Sequence, residues 1–224
     1  MMNMGLSRLK LVGNMDLSAL ECRKMAMHAT DILDQARIFE EFEQAVAEEQ
    51  LLVGTTSVRG RKKRTPVHSA RSMAEIIREY AVSQRVCLVF GPERKGLSEA
   101  QLACCQYLVT IPSSPEFPTL NLAQAVMVLV YEIYTAEGQT SEVSTDLASQ
   151  GEKDAMFRHI QETLTEIGFL SQGTPEHIMR AIRRILGRSD LSSRDVQIVR
   201  GIMSQMEWYA SAGSSMDPED VKKP

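Results

Sequence analysis

No run of about eighteen or more apolar residues occurs anywhere in this chain of 224 residues, so no segment reads as a membrane-spanning helix. Residues 1–11 lack the charged, apolar and small-residue regions of a signal peptide, and the protein is expected in the cytoplasm. The cysteines Cys22, Cys87, Cys104 and Cys105 show no CxxC spacing, and the histidines form neither HExxH nor a Cys/His cluster; neither structural disulfides nor a metal is expected. There is no basic surplus either. Lys and Arg number 25 against 29 Asp and Glu, giving a formal net charge of -4 and a pI near 5.7. That balance argues mildly against nonspecific coating of nucleic acid, which rests on cations neutralising phosphates, so any nucleic-acid site is expected to be local. No internal repeat is present. With 43% hydrophobic and 24% charged residues the composition is that of a globular chain, long enough for one α/β domain and a smaller helical unit.

Short apolar runs rich in β-branched residues stand at 9–12, 51–53, 86–90 and 107–111, separated by helix-like stretches such as 31–49 and 69–82. Alternation of this kind predicts an α/β domain over 1–136, with a mostly parallel sheet covered on both faces. The segment "EGQTSEVSTDLASQGE" is almost free of apolar residues and reads as a solvated linker over 137–152. Three helical patterns follow at 153–169, 175–186 and 193–211. The middle one starts with Thr174 and Pro175 and stops at Gly187. They predict a three-helix extension over 153–213, followed by a frayed tail over 214–224.

Two loops carry the chemistry. Strand 86–90 runs into "GPERKGLSEAQ", where the phosphate-loop pattern fails because Leu97 stands in place of lysine, and GxGxxG fails at Glu93. What remains is a tight turn with Gly91 and Gly96 free to adopt positive φ, and a capping box of Ser98 with Gln101. By itself it reads as readily as a plain strand-to-helix turn. The second loop holds Pro112, Pro115 and Pro118, which restrict φ, lack N–H donors and keep the segment out of the sheet. Asn121 then suits a helix N-cap with Gln124 three residues on, and helix 122–134 is apolar nearly all round, more than one sheet face can hide. Both loops read as poor in ionisable chemistry and suited to a ligand held by main-chain groups and apolar contact, such as an adenosine-like cofactor.

The pair "FGPERKGLSEAQL" and "IPSSPEFPTLNLAQAVMVLVYEIY" resembles the second and third motifs of the SpoU, or SPOUT, family of RNA 2′-O-ribose methyltransferases. The likeness extends upstream through "NMGLSRLKLV" and "LLVGTTSVRGRKKR". Downstream, "FRHIQETLTEIGFL" and "RAIRRILGRSDLSSRDVQIVRGIM" look like the helical extension of TrmJ-type tRNA methyltransferases. The resemblance implies a trefoil-knotted α/β domain, a homodimer, S-adenosyl-L-methionine as methyl donor, and a pyrimidine ribose of the tRNA anticodon loop as acceptor. It assigns Arg59, Glu93 and Asn121 to catalysis, and Thr55, Thr56, Gly91, Glu93, Gly96, Ile111, Pro112, Thr119, Leu120 and Asn121 to the cofactor. Thr119 replaces the family's commoner serine. The basic run Arg59, Arg61, Lys62, Lys63 and Arg64 is assigned to RNA phosphates, against the plain alternative of a solvated charged loop. Arg180, Arg183, Arg184 and Arg188 form a second candidate tRNA contact.

Family members carry a first strand and a first motif, with an asparagine and an arginine, ahead of the part matching "NMGLSRLKLV". The sheet is therefore expected to lack that strand, and the chain to show weak or no activity, since a ribose hydroxyl is a poor nucleophile without help. Two rivals stand beside an RNA methyltransferase: a catalytically silent RNA-binding dimer, and a nucleotide-binding α/β protein that the absent phosphate-loop lysine disfavours.

Overall fold

The computed structural model describes residues 1–57, 67–117, 119–136, 146–170, 175–187 and 189–213. The basic run at 59–64, Pro118, Thr174, Arg188, most of the expected linker and the expected tail lie outside them. The chain forms strands β1 (Lys10–Val12), β2 (Arg37–Phe39), β3 (Leu51–Thr55), β4 (Val67–Ser69), β5 (Val86–Val89) and β6 (Tyr107–Thr110). Between them run α1 (Leu20–Ala26), α2 (Thr30–Asp34), α3 (Phe42–Val46), α4 (Ala70–Tyr80) and α5 (Glu99–Cys104). After them come α6 (Leu122–Thr135), α7 (Gln150–Glu166), α8 (Pro175–Leu186) and α9 (Ser193–Gly213).

All strand pairing in these sheets is parallel, as continuous apolar strands predict. The strands fall into two sheets, a four-stranded one in the order β4-β6-β3-β5 and a two-stranded one, β1-β2. Leu51, Leu52 and Val53 of β3 are fully buried. Because successive strand residues point to opposite faces, Leu51 and Val53 join Met73 and Ile77 of α4 and Leu129 of α6, while Leu52 joins Phe42 and Val46 of α3 and Leu102 of α5. Each of these side chains contributes about 1.5–3 kcal/mol by leaving water. The β1-β2 pair is tied to this body by Lys10, whose Nζ reaches the Ala45 carbonyl at 2.7 Å and the buried Glu49 at 2.6 Å.

Helix 31–49 is not one helix. The segment splits into α2, β2 and α3, because Arg37–Phe39 pairs with β1 as a parallel strand. A three-residue strand gives too few turns of any period to be seen in sequence. The same holds for β4, which pairs with β6. Leu147 and Ala148 are buried, so the last part of the stretch read as a linker is folded. It leads into α7, which begins at Gln150 under a capping box of Ser149 and Glu152.

The three carboxyl-terminal helices pack on their own core of Met156, Phe157, Ile160, Met179 and Val196. Arg183 is taken up inside this unit, 3.3 Å from Asp154 and 4.6 Å from the Phe157 ring centroid. Arg180 lies 3.8 Å from Glu99 of α5. The unit is latched to the amino ends of β3 and β5 through Gln50. Gln50 Nε2 donates to the Leu147 carbonyl at 2.9 Å, its own carbonyl accepts from Lys153 Nζ at 2.8 Å, and its Oε1 accepts from the Arg85 amide at 2.9 Å. Tyr80 donates to Asp190 beside this latch.

Lys153 is 3% exposed, and burial pushes its ammonium down to about 8, against the opposing pull of Asp190, Asp154 and Glu152. In the unfolded chain the same group titrates near 10.5. Between about pH 8 and 10.5 the unfolded state therefore holds the extra proton, and this lysine's contribution to stability rises with pH. The expected result is that wild type gains on Lys153→Met across that window in urea unfolding. A constant difference between the two chains from pH 7 to 10 contradicts the assignment.

Candidate active site

The carboxyl ends of β6, β3 and β5 lie side by side, the usual place for a ligand crevice in an open parallel sheet. Thr55 Oγ1 donates to the Val89 carbonyl at 3.0 Å and the Thr56 amide donates to the Val109 carbonyl at 2.9 Å, so the end of β3 is bonded to both neighbours. From β5 the chain enters the turn 91–97, closed by the amides of Lys95 and Gly96 donating to the Pro92 carbonyl at 3.3 and 2.7 Å. Gly96 adopts φ +63°, the left-handed region expected of it. Gly91 does not. Its reason is space, because a Cβ there would stand 2.2 Å from the Gly96 carbonyl carbon and 2.3 Å from the Leu97 amide nitrogen.

From β6 the chain passes through 111–120, which pairs with no strand among the described residues, and reaches α6. Asn121 caps that helix, accepting from the Ala123 amide at 2.8 Å while Gln124 Oε1 accepts from the Asn121 amide at 3.2 Å. The two turns are joined by one carboxylate. Glu93 Oε1 accepts from Asn121 Nδ2 at 2.8 Å and from the Leu122 amide at 3.0 Å, which also places negative charge at the positive end of α6.

Between the turns lies a cleft of about 250 Å³. Of the residues expected at the cofactor, Thr55, Thr56, Gly91, Glu93, Gly96, Ile111, Thr119 and Leu120 line it. Pro112 and Asn121 do not, and Asn121 acts on the cleft through Glu93. Arg59, Arg61, Lys62, Lys63 and Arg64 lie outside the described residues, so the expected basic contact has no position here.

Sequence reading missed one wall: Leu122, Ala125 and Leu129, whose spacing of three and four residues puts them on one face of α6. It also understated the charge, for Arg94 and Lys95 line the cleft beside Glu93. The opposite face of α6 is uncovered. Met127, Tyr131 and Tyr134, again at helical spacing, are 48%, 51% and 59% exposed, the apolar surface of this helix that one sheet face does not hide. Close by, Cys105 is buried and its thiol is raised by that burial, which makes it packing rather than a nucleophile.

The lining suits a nucleoside held by apolar contact and main-chain groups. Apolar side chains, threonine hydroxyls and turn backbone make most of the cleft, Arg94 and Lys95 add positive charge to it, and no phosphate-loop lysine follows Gly96.

Comparison with known proteins agrees with this architecture. Residues 1–131 match the model of the SpoU rRNA Methylase family, and residues 152–217 match that of the tRNA methyltransferase TrmJ, C-terminal domain. A curated tRNA (cytidine/uridine/adenosine-2′-O-)-methyltransferase TrmJ of Pseudomonas aeruginosa is 37% identical, over 98% of this chain and 91% of that protein. A tRNA (cytidine/uridine-2′-O-)-methyltransferase TrmJ of Photorhabdus laumondii is 33% identical over 94% and 89%. The crystal structure of TrmJ from Z. mobilis superposes with a TM-score of 0.81 at 32% identity, covering 92% of this chain and 90% of that one. Family model, relatives and fold agree: the chain belongs to the SpoU family of RNA 2′-O-methyltransferases, with a TrmJ-type carboxyl-terminal domain.

Proposed function

We propose that the chain methylates the 2′-hydroxyl of a pyrimidine ribose in the tRNA anticodon loop, with S-adenosyl-L-methionine bound in the cleft between turns 91–97 and 111–120. The observation that carries this is Glu93, which ties the two motif turns into one wall and fixes the amino end of α6 against it. The relatives' names, acting on cytidine and uridine of tRNA, support the acceptor. When bound, the cofactor supplies an electrophilic methyl group.

The chain's own residues do the holding. Ile111, Leu120 and Leu122 give the nucleoside an apolar seat, the Gly91 and Gly96 turn presents main chain to it, and Thr55 fixes the strand ends beneath. Glu93 and Asn121 are positioning residues, since both are spent on each other and on the helix cap. The basic run Arg59, Arg61, Lys62, Lys63 and Arg64 begins two residues beyond Ser57, which lines the cleft, and we assign it to tRNA phosphates and Arg59 to the reacting ribose.

The reading includes a trefoil-knotted path from β6 through α6, a homodimer formed on the exposed face of α6, and a cytoplasmic protein. Among the described residues, no helix is long and apolar enough to cross a membrane.

A silent RNA-binding dimer keeps one observation in its favour: among the described residues lining the cleft, only Glu93, Arg94 and Lys95 ionise, and Glu93 is engaged. Positioned help at the hydroxyl is worth roughly 100- to 10,000-fold, so it is turnover, and not binding, that separates the two readings. The deciding experiment is single-turnover transfer of labelled methyl to tRNA, with the product nucleoside mapped. A slowly formed 2′-O-methylcytidine or 2′-O-methyluridine supports the proposal. Cofactor binding with no methylated product supports the silent dimer, and a methylated base or adenosine ribose corrects the acceptor.

A further inference from the structure

Arg94 and Lys95 follow Glu93 in the glycine turn, are exposed, and line the cleft. Neither enters an ion pair among the described residues. The adjacent carboxylate does not neutralise them, because Glu93 is turned to Asn121 and the Leu122 amide. The turn that carries them is closed by the amides of Lys95 and Gly96 on the Pro92 carbonyl, so its backbone is fixed relative to Glu93. In a chain of formal net charge -4, the mouth of this cleft therefore holds two uncommitted positive charges.

Like charges on neighbouring residues repel, and an anion between them relieves the repulsion. The cofactor is the wrong anion. S-adenosylmethionine has one carboxylate against a sulfonium and an ammonium, so the molecule as a whole is repelled by a cationic rim. A phosphodiester suits it: one charge spread over two oxygens, which a guanidinium takes as a fork and an ammonium as a point charge.

We propose that Arg94 and Lys95 are a phosphate-binding pair that holds the RNA backbone next to the reacting ribose, at the mouth of the cofactor cleft. The proposal rests on the reading of the cleft as a cofactor and tRNA site. Phosphate contacts set register and orientation without reading bases, so the pair fixes where the strand lies and leaves the choice of nucleotide to other groups.

The test compares the full wild-type chain with the double variant R94Q/K95Q. Binding of tRNA is followed over a salt range of about 50 to 300 mM, and S-adenosylmethionine, S-adenosylhomocysteine and ATP are titrated calorimetrically. Each phosphate contact contributes roughly 0.7 to 0.9 to the slope of log K against log salt, so the double variant is expected to lose about 1.5 of that slope. Its tRNA affinity at low salt falls about tenfold or more. S-adenosylhomocysteine binds as before, which also shows that the cleft is folded, and S-adenosylmethionine binds no more weakly. The single variants R94Q and K95Q each lose about half of the change in slope.

An unchanged slope overturns the proposal. So does loss of cofactor affinity at unchanged slope, which gives the pair to the cofactor's carboxylate, or ATP binding that the substitutions remove. A wild-type chain that binds S-adenosylhomocysteine but no tRNA overturns the proposal and leaves the cofactor site standing. One that binds neither overturns the functional reading as well.

Discussion

Gly91→Ala is expected to abolish S-adenosylhomocysteine binding and to lower the melting midpoint of the chain by several degrees. The added Cβ meets three backbone atoms, the Gly96 carbonyl carbon at 2.2 Å, the Leu97 amide nitrogen at 2.3 Å and the Gly96 oxygen at 2.6 Å, and none of them belongs to a side chain that can step aside. The turn has to open. Opening it withdraws the Pro92 carbonyl from the amides of Lys95 and Gly96 and carries Glu93 away from Asn121. Overpacking of this kind costs about 1–3 kcal/mol and each of the three hydrogen bonds lost about 1 more, which together make roughly 4–6 kcal/mol. Gly96→Ala is the control. Position 96 has φ +63° but nothing within 4 Å of an added Cβ, so the cost is only the strain of a left-handed alanine, about 1–2 kcal/mol, and much of the ligand affinity remains. Scanning calorimetry with and without ligand reads both; a Gly91→Ala chain that melts and binds like wild type removes the turn from the account.

If the proposed dimer forms on this face, wild type sediments as a dimer and the double variant M127E/Y131E as a monomer at the same concentration. Met127, Tyr131 and Tyr134 form an apolar stripe on the side of α6 opposite Leu122, Ala125 and Leu129, so one helix both walls the cleft and presents the surface proposed to meet a second copy. In a twofold interface every substitution occurs twice, and a buried carboxylate without a partner costs several kcal/mol. Each buried aromatic lost at such a centre is worth about 2 kcal/mol or more in its own right. Together these effects weaken association by more than a thousandfold. Sedimentation velocity measures it. Because the helix is shared, cofactor affinity is expected to fall in the variant as the dimer is lost; a variant that stays dimeric places the interface on another face.

Much of this was legible in the residues, and the part that was not shares a physical cause. The four longer apolar runs became β1, β3, β5 and β6, and the helix starts at Ser98 and Asn121 carry the capping boxes that Gln101 and Gln124 announce. These are local signals. The same signal at Ser149 and Glu152 was available and marks where α7 begins, inside the stretch read as a linker. β2 and β4 are three residues each and exist because β1 and β6 offer ladders to them, which no local pattern records. Gly91 was read as a φ glycine, yet its need is clearance from Gly96, a contact made only once the turn has closed. The Lys153–Gln50 latch spans 103 residues and follows from how the extension docks on the sheet.

The most direct measurement of the central claim is a calorimetric titration of S-adenosylhomocysteine, with ATP as the comparison. The expected result is saturable binding of S-adenosylhomocysteine at one site per chain, lost in Gly91→Ala and little changed in R94Q/K95Q, with no heat from ATP. Binding of ATP in preference, or S-adenosylhomocysteine binding that Gly91→Ala leaves intact, contradicts it.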